Sequence, residues 1–226
     1  MADNRSFWRR AFDEISREKG DTPEANSYVS VRNFALVRNA VLSLLGDIRR
    51  AIVLDVGCGT GHLSQPLVRD NFVVGADLSS EMLRFAAAKG LVSVHGRAEE
   101  IPFKNSVFDV VLANSVIQLI PDGRAFVAEL FRVVRPGGRV IIATINAECA
   151  AVAALRRVER SKYRHFRLYP FAELSARVAD AGGVLRGTTF LYYPFGRSGV
   201  VRGDKRPGLV RRCFASTVIV DAVRPG

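Results

Sequence analysis

Hydrophobic positions change period along the chain, and each change marks a new region. Over residues 1–50 the spacing is helical. Phe7, Trp8, Ala11, Phe12 and Ile15 form one stripe, broken by Gly20-Asp21-Thr22-Pro23. Phe34, Val37, Val41, Leu44 and Leu45 form a second, ended by Gly46. From residue 51 short β-rich runs alternate with helical stretches. Residues 51–56, 72–76, 91–95, 107–113 and 139–144 predict five strands, the fourth apolar nearly throughout, as burial on both faces requires. A helix is expected from about His62. Another is expected after Ser79 or Ser80, with Glu81 in its first turn and Gly90 at its end. A third follows the steps Phe126, Val127, Leu130, Phe131 and Val134, and Pro136-Gly137-Gly138 stops it.

The last third is organised differently. Residues 147–160 and 171–181 predict helices, and 188–193 and 214–220 predict strands. The roughly 20 residues between those strands are rich in Gly, Pro and Arg and too long for a tight hairpin, so a loop or lid is expected there. Alternating strands and helices predict an α/β fold, a Rossmann-like, mostly parallel sheet of seven strands with helices on both faces. We expect one domain over 1–226: a helical N-terminal lid at 1–50, a cofactor-binding core at 51–145, and substrate-side helices with the last two strands at 146–226.

Composition narrows this picture. With 226 residues and 48% hydrophobic content, the chain can bury one large core. Its apolar runs stop well short of a membrane span, and the opening ADNRSFWRR lacks a leader-like apolar stretch. Three scattered cysteines, Cys58, Cys149 and Cys213, suit neither a disulfide framework nor a metal site. A cytoplasmic location is expected. The net charge is +11 and falls almost wholly in residues 151–226, where 15 Lys and Arg face 5 Asp and Glu. Such a bias favours an anionic partner, or else is a solvated basic face.

The candidate chemistry lies in VLDVGCGTGHLS, residues 53–64. Glycines 57, 59 and 61 follow a buried strand, and a bare backbone there lets a nucleotide-like ligand approach. Asp77 ends the next strand, 20 residues beyond Gly57, where a carboxylate can accept from both ribose hydroxyls. This much fits NAD or S-adenosylmethionine. The spacing is G-x-G-x-G, not the G-x-G-x-x-G of dinucleotide sites, and Asp55 precedes it. A carboxylate beside a pyrophosphate is unfavourable, whereas it helps hold the ammonium of an amino-acid tail. The spacing favours S-adenosylmethionine.

On these residues the chain resembles the class I S-adenosylmethionine-dependent methyltransferases, in particular the small-molecule group that includes quinone-biosynthesis methyltransferases. VLDVGCGTGHLS is similar to their first motif and VVGADLSSEMLRFA to the second. GRAEEIPFKNSVFDVVLANSV resembles the third and fourth, and ELFRVVRPGGRVIIAT the helix–PGG–strand segment that follows. RLYPFAEL, residues 167–174, resembles a later helix of such enzymes. The resemblance implies an antiparallel last strand. It also implies that Gly57, Cys58, Gly59 and Gly61 lie beside the cofactor's methionine and ribose, with Asp55 near its amino group. Asp77 would bind the ribose diol, Leu78 would pack on adenine, Ala98 would offer a backbone N–H to the ring with Glu99 adjacent, and Asn114 would approach the carboxylate. Arg97 departs from the family pattern, which has an aspartate there to accept the adenine amino proton; arginine can only donate. Glu99 or a backbone carbonyl would take over.

No base motif stands out. His165, in the basic aromatic run SKYRHFRLY, is the one weak catalytic candidate, and Trp8, Phe12 and Tyr28 read as core or lid packing. Cys58 reads as a small packing residue and His62 as a local contact. The function expected is methyl transfer to O, N or C of a small, anionic molecule such as a quinone precursor or secondary metabolite. Arg197, Arg202, Lys205 and Arg206 in the lid segment would steer it. The alternatives are an RNA or protein methyltransferase using the basic last third, for which no RNA-binding module is visible, and a non-catalytic cofactor binder.

Overall fold

The computed structural model describes residues 4–26, 31–158, 165–192, 199–203 and 213–226. Among these residues eight strands form one sheet: β1 (Ile52–Val56), β2 (Phe72–Asp77), β3 (Val92–His95), β4 (Phe108–Asn114), β5 (Val134–Ile145), β6 (Val184–Tyr192), β7 (Gly199–Gly203) and β8 (Ala215–Val223). Their order is β3-β2-β1-β4-β5-β8-β6-β7. β3, β2, β1, β4 and β5 run parallel. β8 inserts antiparallel between β5 and β6. The seven expected strands are therefore present, with the last antiparallel.

β7 is an eighth strand. It comes from the segment expected as loop or lid and hairpins antiparallel onto β6, placing Arg202 opposite Thr189. Three residues between two glycines are too short a run to predict a strand. The pairing comes from the open edge that β6 offers. Arg197, Lys205 and Arg206 lie outside the described residues, as does Tyr28.

Among the described residues six α-helices flank the sheet: α1 (Asn4–Lys19), α2 (Val31–Leu45), α3 (Ser80–Ala88), α4 (Gly123–Val133), α5 (Ala150–Leu155) and α6 (Phe171–Asp180). Side-chain alternation along the strands splits the core in two. Leu54, Val111 and Ile142 face Phe126 and Leu130 of α4 and Leu174 of α6. Val53, Val110 and Ile141 face Phe34, Val37 and Val41 of α2 and Leu83 of α3. Asp55 shares the parity of Val53, so a carboxylate sits at the end of an otherwise apolar row.

Local chemistry sets the helix ends. Ser79 caps α3 by accepting the Met82 N–H at 3.2 Å. Asp122 caps α4 by accepting from the N–H groups of Arg124 and Ala125 at 3.0 and 3.1 Å. Those bonds hold its carboxyl below the ordinary range, as an N-cap should. The helix expected from His62 does not form. Residues after Gly61 run as turns with a single 3-10 turn at Gln65–Leu67. Pro66 explains the difference, since it has no N–H to donate and disfavours α geometry at Gln65. The helix expected over 147–160 is confined to the six residues of α5. β5 begins at Val134, running through Pro136-Gly137-Gly138 with a bulge opposite β4 between Phe108 and Val110.

Candidate active site

The carboxyl ends of β1, β2 and β4 open into one cavity. Parallel strands end together there, and the connections after them supply its walls. After β1, Gly57 and Gly59 take left-handed φ of 67° and 54°. This geometry favours glycine and turns the backbone of Gly57, Cys58 and Gly59 along the cavity wall. A Cβ on Gly57 would run into the Val116 side chain, and one on Gly59 into Asn26 Oδ1. Gly61 does not line the cavity. At φ 81° it packs against Ala86 of α3, where an added Cβ would lie 3.1 Å from the Ala86 Cα. Its role is close packing of loop on helix, which corrects the expectation that all three glycines face the ligand.

Asp77, at the end of β2, ties the loop to the next helix. Its Oδ2 accepts the Gly59 N–H at 2.8 Å and its Oδ1 the Ser79 N–H at 2.9 Å. Each oxygen keeps lone-pair capacity for a further donor. Burial raises its pKa, opposed by those backbone N–H bonds. Asp55 is 1% exposed and accepts from Ser64 Oγ at 2.7 Å through Oδ2 alone. Burial pushes its carboxyl up to about 7, against the Ser64 bond and with help from the Asp77 charge. The Cys58 thiol is pushed well up by burial and then by both aspartates, so it stays a protonated packing group.

Leu78, Ala98, Glu99 and Asn114 all line the cavity. Arg97 lines it too. Its Nη1 reaches Glu100 Oε2 at 3.5 Å, while its Nε is buried without a partner among the described residues. His165 is not a lining residue. It is exposed beside Phe7, with ring centroids 6.2 Å apart, while its neighbour Phe166 is the residue of that segment that packs on the lining Trp8. His62 pairs with Asp21 at 3.1 Å, and burial and then Lys89 lower its pKa.

Several contributors carried no sequence signal. Asn26 donates from Nδ2 to Thr60 Oγ1 at 3.0 Å and accepts the Thr60 N–H through Oδ1 at 3.1 Å, clamping the glycine loop from 34 residues away. Asp13 of α1 accepts from Ser79 Oγ at 2.5 Å. Leu119, Ile120 and Pro121, after β4, line the cavity together with Trp8 and Phe12 of α1.

The donor set suits S-adenosylmethionine. Asp77 has acceptor capacity for a diol, Asp55 an oxygen for an ammonium, and Leu78 and Met82 an apolar surface for a base. Residues 54–142 match the family described as "Methyltransferase domain". A ubiquinone biosynthesis O-methyltransferase of a Chelativorans species is 31% identical over 181 residues, covering 70% of this chain and 72% of that protein. The chain belongs to the class I S-adenosylmethionine-dependent methyltransferases. Two further relatives of this chain match over less. A malonyl-[acyl-carrier protein] O-methyltransferase of Herminiimonas arsenicoxydans is 38% identical, covering 61% of this chain and 53% of that protein. A demethylmenaquinone methyltransferase of Lactococcus lactis is 33% identical, covering 58% and 55%. The chain thus spans about half the length of these two relatives. The family's fold agrees throughout. A Thermotoga maritima S-adenosylmethionine-dependent methyltransferase superposes with a TM-score of 0.76 at 20% identity over 96% of this chain and 99% of that one. Magnesium protoporphyrin IX methyltransferase of Synechocystis, solved with S-adenosylmethionine bound, superposes with a TM-score of 0.70 at 17% identity over 99% and 98%. Among the described residues no helix is long and apolar enough to cross a membrane, and no cluster of metal-ligating side chains occurs.

Proposed function

We propose that this protein transfers a methyl group from S-adenosylmethionine to a small-molecule acceptor that presents an anionic oxygen. The observation that carries the reading is the convergence of Asp55, Gly57–Gly59 and Asp77 on one cavity at the strand ends, beside an apolar wall from α1 and the segment after β4. Asp77 would accept from the ribose hydroxyls. Asp55 would face the ammonium, Asn114 the carboxylate, and Ala98 with Glu99 the adenine edge. Bound there, the cofactor supplies an electrophilic methyl on a sulfonium, and the electrons of the broken S–C bond stay on sulfur. The protein's task is to align the acceptor and exclude water. An acceptor that arrives as an oxyanion needs no proton removed, so the chain's residues need only position it.

Relatives named for O-methylation of a ubiquinone precursor and of a malonyl carrier thioester support an oxygen acceptor. The excess of basic residues in 151–226 supports an anionic one. Calorimetry with S-adenosylhomocysteine and NAD, then a panel of acidic acceptors and RNA with labelled S-adenosylmethionine, tests the reading. Binding of S-adenosylhomocysteine but not NAD, with label entering an acidic small molecule, supports it. NAD binding, or label entering only RNA, refutes it.

A further inference from the structure

Trp8 is the chain's single tryptophan. It lies on α1 and lines the cavity. Its ring tilts at 33° against Phe12 and Phe166, with centroids 6.0 and 5.7 Å away, and Phe7 meets it edge-on at 5.1 Å. Three aromatic contacts therefore hold the indole in one orientation. Yet its Nε1 is buried and finds no hydrogen-bond partner among the described residues. A buried N–H left unmade is unfavourable, and an indole can donate but not accept. Such a group fits an oxygen brought by a ligand.

The surroundings say which ligand. Beside Trp8 the cavity wall is apolar: Phe12, Val116, Leu119, Ile120 and Pro121. Phe166, which packs on Trp8, precedes Arg167, and Arg167 donates from Nη1 to the carbonyl of the lining residue Pro121 at 3.0 Å. That guanidinium is not itself a lining residue and also pairs with Glu173 at 3.7 Å, but the bond holds a positive charge next to the lining residue Pro121, where its potential favours an anion in the cavity. We infer that Trp8 is the acceptor-recognition residue. Its indole N–H holds an anionic oxygen of an acceptor whose apolar body lies against Phe12 and Leu119–Pro121. This rests on the methyltransferase reading above and adds what selects the acceptor.

Because Trp8 is the sole indole, its emission reports directly on this site. The protein is saturated with S-adenosylhomocysteine and titrated with octanoate, a spectroscopically silent carboxylate, while Trp8 fluorescence is followed. Calorimetry adds 4-cyanophenolate at alkaline pH as the phenolate counterpart. Both are repeated on Trp8→Phe, which keeps an aromatic ring and deletes the N–H. The expected result is a saturable change in Trp8 emission. Trp8→Phe should lose roughly tenfold or more in affinity for the probe, the size expected for one hydrogen bond to a charged oxygen. Its affinity for S-adenosylhomocysteine should stay within about twofold. A loss for octanoate alone marks a carboxylate acceptor, and for 4-cyanophenolate alone a phenolate. If neither probe binds or moves the emission, or if Trp8→Phe binds both as tightly as the unmodified chain, the inference is overturned. Failure of S-adenosylhomocysteine itself to bind would overturn the methyltransferase reading instead.

Discussion

Asn26 grips Thr60 at both ends, accepting its backbone N–H at 3.1 Å and donating to its hydroxyl at 3.0 Å. The N-terminal segment is thereby fastened to the glycine loop, and the loop's shape depends on a side chain far away in sequence. Each bond is worth about 0.5–1.5 kcal/mol net. Asn26→Ala should therefore weaken S-adenosylhomocysteine binding by roughly three- to tenfold while the thermal transition stays cooperative. Titration calorimetry beside a melting curve checks this, and unchanged affinity would show that the clamp does not shape the site.

Asp77 joins the loop, through the Gly59 N–H, to the start of α3, through the Ser79 N–H. With two ribose hydroxyls added, its carboxylate becomes the most connected group of the site. Charged hydrogen bonds are worth about 1.5–3 kcal/mol each. Asp77→Ala should raise the dissociation constant for S-adenosylmethionine at least about tenfold, and Asp77→Asn by less, since its amide oxygen still accepts. Equilibrium dialysis with labelled cofactor distinguishes the two.

With Asp55 facing the ammonium as proposed, cofactor affinity should depend on pH. In the free protein burial pushes its carboxyl up to about 7. An ammonium at its open oxygen favours the carboxylate, so binding expels the proton and the pKa falls. Affinity should then weaken as pH drops below about 7, and Asp55→Asn should flatten that slope. The same carboxyl affects folding with the opposite sense. Its folded pKa lies above its ordinary 3.8, so the native chain keeps a proton that the unfolded chain has released. That contribution to stability is present below pH about 4 and lost as pH rises through about 7. Melting curves of the cofactor-free protein across this window should fall with pH, less so for Asp55→Asn.

Arg139 and Asp221 pair at 2.8 Å across β5 and β8, and the same guanidinium donates to the carbonyls of Leu44 and Leu45 at the end of α2. Both side chains are largely buried. Asp221→Ala would leave the guanidinium buried without its carboxylate, which costs roughly 3–5 kcal/mol in comparable sites. Chemical denaturation should show that loss, with cofactor affinity per folded molecule unchanged, because the pair sits at the end of the sheet away from the cavity.

The basic last third gives a salt test. If Arg202, Lys205 and Arg206 steer an anionic acceptor, turnover at low acceptor concentration should fall as salt rises, since exposed charges are screened beyond about 8 Å at physiological ionic strength. Neutralising the three together should raise the Michaelis constant for the acceptor and spare cofactor affinity. A flat response to both would make these charges a solvated face.

The cofactor half of the site was legible because its chemistry is local. A strand end, a glycine turn and the next strand's acid are neighbours in any parallel sheet, so residues 53–77 name their own partners. Ser79 likewise caps the helix it precedes, through a bond spanning three residues. The alternation of Leu54 with Val53 and of Val111 with Val110 already sorted the core into its two faces.

What the sequence by itself determined was the alternation of strands and helices that builds the sheet and the place of the glycine loop with its acid, because both follow from period and spacing. Only the tertiary structure decided that Gly61 packs against Ala86 and that β7 pairs on the edge of β6. It alone brought Asn26 to Thr60, Asp13 to Ser79, and Trp8 with its unmet N–H to the cavity wall, while leaving His165 outside. The physical reason is the same in each case. These contacts join segments far apart in the chain, and no local propensity records which surfaces will meet once the apolar faces have packed.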